Sequence, residues 1–181
     1  MAILFSGCIS VISPISNALT VYDIYSISRD KRGIITIASD KIKKLKIQSA
    51  ILKSKGISNW DIDVGVFYSQ VYLVGLVEDK KAYKKLLSLA KNEIKNGKIH
   101  TYIKIKQPNY NCSHAAIFSQ LKADLFGASN VEGTAVRVSI VGCDVVFTGV
   151  VASKNQESSA IWFAKHIDGV DNVYSFLQVI N

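Results

Sequence analysis

The chain has 181 residues, is 49% apolar, and carries a formal net charge of +8. That apolar content excludes a chain disordered throughout, and the length allows one ordinary domain or two small ones. The charge is uneven: residues 111–181 hold four basic and six acidic side chains, net −2, which leaves +10 on residues 1–110. The basic part suits an anionic surface, lipid headgroup or nucleic acid; a lysine-rich solvated face is the plain alternative.

Leu4-Phe5-Ser6-Gly7-Cys8 has the form of a bacterial lipobox, in which the cysteine is acylated and becomes the new N-terminus. Only seven residues precede Cys8, fewer than a signal peptide needs. Either the translated protein begins upstream, or the segment is an apolar strand with a buried thiol. Residues 9–33 are Ser-rich and apolar, with Pro14 and a closing Asp30-Lys31-Arg32-Gly33, and read as a tether. No later stretch offers the ~20 uninterrupted apolar residues of a membrane-spanning helix.

The first folded unit spans residues 34–107. Ser39-Asp40 is expected to cap a helix that runs to about Ser54 and stops at Gly56. Ile47, Ala50 and Ile51 share one face of it; Ile42, Leu45 and Leu52 share another, expected to be buried against the second unit, with a membrane as the alternative. Trp60 to Val66 alternates through Ile62 and Val64, and Val71 to Val77 pairs with it around a turn at Tyr68-Ser69-Gln70 of open type. Gly75 inside the second strand suggests a bulge, or a close approach by the following helix. Asp79 to Lys95 is the clearest helix. Ala82, Tyr83, Leu86, Leu87, Ala90 and Ile94 make its apolar stripe, and Lys80, Lys81, Lys84, Lys85, Lys91 and Lys95 cover the opposite face. Lys98 to Lys106 closes the unit as a third strand.

Residues 108–112 form a short linker, and residues 113–181 repeat the first unit. Val71-Tyr72-Leu73-Val74-Gly75-Leu76-Val77 returns as Val145-Val146-Phe147-Thr148-Gly149-Val150-Val151, an offset of 74 that holds without a gap on both sides. This is a tandem duplication. Ser113 caps a helix whose Ile117, Phe118, Leu121 and Leu125 share a face. Thr134 to Ile140 and Asp144 to Val151 form the second hairpin, Ser153 caps the next helix, and Asn172 to Ile180 is the last strand. Trp162 points outward from its helix and is expected to rest on the first unit, with lipid as the alternative.

No motif for catalysis appears: no GxSxG, GxxxxGK[ST] or HExxH. Asp61 and Asp63 share a strand face, as paired acid–base carboxylates would, but are expected to be exposed edge charges; their counterparts are Ala135 and Arg137. His100, His114 and His166 fall in three different elements and no cysteine spacing suits zinc, so no metal site and no cofactor are expected. With Cys8 acylated, Cys112 and Cys143 remain as an even pair in an oxidising compartment, where a disulfide is permitted. Nothing in the sequence sets the two side by side, and free thiols are the expectation.

The doubled αββαβ order, with Lys46 to Leu52, Val71 to Val77, Val145 to Val151 and the ending Gly169-Val170-Asp171-Asn172-Val173, resembles the BON domain. Two such domains behind a lipobox cysteine resemble the dual-BON outer-membrane lipoproteins of Gram-negative bacteria. The resemblance implies an α+β fold of two tandem BON domains, each a three-stranded mixed sheet packed with two helices. It also implies a lipid anchor at Cys8, a place on the periplasmic face of the outer membrane, a role in envelope integrity and no enzymatic activity. The first helix of the second domain, about Ser113 to Phe126, is then expected to meet anionic phospholipid through Ile117, Phe118, Leu121 and Lys122. Lys122 is the only basic residue in that helix, so Lys80, Lys84 and Lys91 of the first domain are expected to add attraction, at about 1 kcal/mol per well-placed lysine. The alternative from another class is a periplasmic adaptor that binds an envelope protein through Trp162, Phe118 and the second apolar face of helix 39–54. Nucleic acid is not expected, because the lysines lack aromatics interleaved on a sheet face.

Overall fold

A computed structural model describes residues 33–58, 61–94, 97–128 and 136–180. Cys8 and the rest of the N-terminal segment lie outside the described residues. The first repeat runs α1 (Ile34–Lys53), β1 (Ile62–Phe67), β2 (Gln70–Val77), α2 (Lys80–Glu93) and β3 (Ile99–Ile105). The second runs α3 (His114–Gly127), β4 (Val136–Val141), β5 (Asp144–Val151), α4 (Lys154–Lys165) and β6 (Val173–Val179). Each sheet is mixed. β2 pairs antiparallel with β1 (Ile62 opposite Gly75) and parallel with β3 (Val71 opposite Ile99). β5 repeats both registers 74 residues on, with Val136 opposite Gly149 and Val145 opposite Val173. A hairpin serves the antiparallel pair; the parallel pair needs a crossover, which α2 and α4 supply.

Strand alternation decides what each sheet face buries. Ile62, Val64, Val66, Val71 and Leu73 face α1 and α2, and close a core with Ile47, Ile51, Leu86 and Ala90. Val136, Val138, Val145 and Phe147 do the same with Ile117, Leu121, Ala160 and Ala164. The opposite faces of the two sheets pack on each other. Phe67, Tyr72 and Val150 meet Phe176, while Val74, Val141 and Val146 meet Leu76 and Tyr102. The order of layers is therefore α/β/β/α, with the two helix layers on opposite outer surfaces. This corrects two expectations. Ile42, Leu45 and Leu52 are exposed, and so is Trp162, because sheets and not helices make the contact between repeats.

Asp61 and Asp63 are also not free edge charges. Asp63 accepts from Arg137 Nη2 and Ser139 Oγ across the inter-sheet contact, both at 2.9 Å. Burial works against its charge, yet Arg137, Lys44 and Ser139 together hold its pKa below the ordinary Asp value. Asp61 lies 3.5 Å from Lys106 Nζ. The glycine expectation needs a change of neighbour. At Gly75, with φ +149°, a Cβ would lie 1.9 Å from the carbonyl oxygen of Asp61, so the close approach is by the strand alongside and not by a helix.

The start of α1 differs as well. The helix begins at Ile34, six residues before the expected cap, and Asp40 is buried within it. Its carboxylate accepts from the backbone N–H of Tyr68 (2.7 Å) and of Ser69 (2.8 Å). Those two residues make the β1–β2 turn with φ of +49° and +62°, the type I′ geometry that ordinarily calls for Asn-Gly. A buried anion thus holds a turn that its own residues disfavour. Asp40→Ala should cost about 2–4 kcal/mol in urea unfolding, since two charge-assisted hydrogen bonds go and two donors are left unpaired. Adding Tyr68→Gly should return about 1 kcal/mol by relieving the left-handed backbone. An unchanged midpoint for Asp40→Ala would refute the clamp.

The second repeat holds the same corner covalently. Its turn is Gly142-Cys143, and Cys143 is joined to Cys112, just before α3, with the Cα atoms 5.9 Å apart. The expectation of free thiols is thereby corrected. Fold, and not sequence spacing, brings together two cysteines 31 residues apart.

Candidate functional site

α3 begins at a cap that the sequence shows: Ser113 Oγ accepts from Ala116 N at 3.3 Å. From there the helix divides its residues by angle. Ile117, Leu121 and Leu125 turn inward and are buried. Ile117 and Leu121, expected among the lipid contacts, are therefore core residues that reach no membrane while the repeat is folded. Phe118, Lys122 and Phe126, four apart, form the adjoining ridge. Phe118 and Phe126 are 44% and 53% exposed. Lys122 Nζ sits between them, 6.0 Å from one ring centroid and 5.8 Å from the other, within the range of cation–π attraction. The same ammonium donates to the Val136 carbonyl at 3.2 Å. Burial, aided by nearby Arg137, lowers the Lys122 pKa from its usual value.

Phe126 completes this ridge and was not among the residues singled out from the sequence. Its spacing from Phe118 and Lys122 was the available signal. The ridge is not duplicated, because the matching positions of the first repeat are Lys44, Gln48 and Leu52. Beside α3, α4 adds Trp162, whose ring lies 4.1 Å from His166 and 5.5 Å from Phe163. The outer layer of the second repeat thus exposes aromatics, beside the exposed Lys154 and Lys165 of α4.

Lys80, Lys84 and Lys91 project from α2 on the outer layer of the first repeat, and all three are exposed. α2 turns Ala82, Leu86 and Ala90 inward, and its N-terminus is capped by Asp79, which accepts from Ala82 N at 2.7 Å. These lysines lie across the sandwich from Phe118 and Lys122, so the structure does not unite the two halves of the expected lipid site.

Among the described residues, no group of His, Cys, Asp and Glu is arranged to hold a metal ion. Nor is any described helix long and apolar enough to cross a membrane.

No curated protein sequence matches the chain significantly. Among solved structures, it is similar to the C-terminal domain of CdsD, a structural protein of the type III secretion system of Chlamydia trachomatis. The identity is 13% over 78% of this chain and 67% of that one, with a TM-score of 0.33. A second CdsD structure matches at 14% identity over 92% of this chain and 76% of that one, also with a TM-score of 0.33. Superposition this loose extends to neither function nor partner. The family comparison is of another order: the BON domain model matches twice, at residues 39–107 and 113–181, each match covering one αββαβ unit. Two tandem BON domains make up most of the chain, which belongs to the BON-domain family.

Proposed function

We propose that the protein is a non-enzymatic envelope lipoprotein, anchored through Cys8 at the periplasmic face of the outer membrane, that binds anionic phospholipid. BON-domain proteins are in general non-catalytic and associated with envelope membranes, which supports the class. The observation that carries the reading is the Phe118–Lys122–Phe126 ridge. Two exposed rings flank one cation on an outward helix, so the rings enter the interfacial region beside an ammonium that the Val136 carbonyl holds in place. Trp162 on the same layer suits the same depth.

The test is co-sedimentation of the full chain with phosphatidylglycerol and with phosphatidylcholine vesicles. Phosphatidylglycerol should bind more tightly, and the difference should shrink in high salt. Phe118→Ala and Phe126→Ala should each weaken binding by about tenfold, the scale of losing one buried ring. Changing Lys80, Lys84 and Lys91 to glutamine should matter far less, because they lie on the opposite layer. Equal binding to both lipids, or no response to loss of the rings, would overturn the reading. The adaptor reading is favoured by one separate observation, the exposed apolar face of α1.

A further inference from the structure

α1 is a 20-residue helix with two apolar faces. One holds Ile47 and Ile51 in the core. The other points away from the sheet and leaves Ile42 and Leu52 55% and 63% exposed. Ile35, Ala38, Ile42, Leu45, Ser49 and Leu52 follow one another at intervals of three and four. That is the seam of a coiled coil, with isoleucine at two of its a positions and leucine at two of its d positions, the choice that favours a two-stranded pair. Lys46 and Lys53 stand at the e positions beside the seam and are exposed, and Lys41 stands at g. The only acid in the helix is Asp40, which is buried beneath the hairpin turn.

We infer that this seam is a docking site for an acidic amphipathic helix of a partner protein. Charge selects the occupant. A second copy in parallel would set Lys41 against Lys46, and an antiparallel copy would set Lys46 against Lys53. Either arrangement places like charges together, which opposes self-pairing. A helix with glutamate at those flanks meets lysine in both directions. The bilayer is a poorer occupant, because the α/β/β/α order puts α1 on the surface opposite α3. One flat membrane meets one helix layer, so a chain lying on lipid through Phe118 and Phe126 presents the seam away from it. The exclusion of the bilayer rests on that lipid reading, whereas the exclusion of a second copy rests on the flanking lysines alone.

The test uses the full chain and two labelled synthetic helices with the same Ile/Leu seam, one with glutamate and one with lysine at the e and g positions. Fluorescence anisotropy should show the glutamate helix binding at least about tenfold more tightly. The double variant Lys46→Glu/Lys53→Glu should reverse the preference. Ile42→Ser/Leu45→Ser should lose binding of both helices and keep the wild-type circular dichroism, because both positions are exposed. Equal binding of the two helices, no binding of either, or a preference untouched by the charge reversal would overturn the inference. Loss of phosphatidylglycerol binding in Ile42→Ser/Leu45→Ser would assign the face to lipid and overturn it too. Phe118→Ala tests the lipid reading separately and should leave helix binding unchanged.

Discussion

Reducing the Cys112–Cys143 bond should lower the melting temperature of the protein by roughly 10 °C. The bridge closes a loop of 31 residues. Chain-entropy arguments assign such a loop about 3–4 kcal/mol, and about 2–4 °C follow per kcal/mol in a chain of this size. The Cys112→Ser and Cys143→Ser variants should each show the whole loss, and the double variant no more. The turn itself should survive Cys143→Ser, because serine occupies the equivalent place, Ser69, in the first repeat. The measurement is a thermal melt by circular dichroism with and without dithiothreitol. A wild-type melt indifferent to reductant would refute the stabilisation, and alkylation of the unfolded, unreduced chain would show whether the two sulfurs are joined. Hydrogen exchange should localise the loss to α3 and the β4–β5 turn, leaving the clamp at Asp40 intact.

Asp144→Ala is the second large effect, at about 2 kcal/mol. The Asp144 side chain is fully buried at the start of β5. It accepts from Tyr102 Oη at 2.5 Å and Asn172 Nδ2 at 2.9 Å, and pairs with the Lys104 ammonium. Tyr102 and Lys104 belong to β3 of the other repeat, so one carboxylate joins the two halves. Truncation takes one acceptor from the partly buried Tyr102 hydroxyl and unties the two repeats at this point, while the exposed Asn172 amide regains water. Lys104 is half-exposed and regains water, which keeps the cost below that of a wholly buried pair.

Burial favours the neutral acid at Asp144, but Lys104, Tyr102 and Asn172 outweigh it and hold the pKa below the ordinary Asp value. A lowered folded-state pKa contributes stability above the unfolded value, near pH 4, and loses it as pH falls through the folded value. Asp63 and Glu157 are lowered as well and act in the same direction. Urea midpoints should therefore fall steeply below about pH 4 in the wild type and less steeply in Asp144→Asn. Parallel pH profiles for the two proteins would remove Asp144 from the account.

The duplicated pattern was legible because apolar alternation fixes which strand residues face the helices. Val71 to Val77 and its echo announced both central strands, and Asp79, Ser113 and Ser153 announced three helix starts. What escaped were contacts set by packing. Asp40 resembled a cap because aspartate commonly is one; only the folded turn shows that its carboxylate answers Tyr68 and Ser69. The cysteines gave no spacing signal, since the bridge joins a segment before a helix to a hairpin tip. Ile117 and Leu121 shared an apolar helix face with Phe118, and a wheel does not say where the core ends. Asp63 reads as an exposed edge charge because it points away from the helices, and only the second sheet, through Arg137 and Ser139, covers that face.

The Asp63–Arg137 pair is also a matter of ancestry. The two residues stand one repeat length apart, so each touches its own counterpart, as residues beside a two-fold axis do in a symmetric dimer. Two identical first halves would bring aspartate against aspartate there, and two second halves arginine against arginine. Either meeting is repulsive, and neither has the covalent proximity that the linker gives. A contact that equal chains would have shared has become one that only unlike halves complete. The duplication is in this sense written into the interface: at this contact each half is keyed by charge to the other.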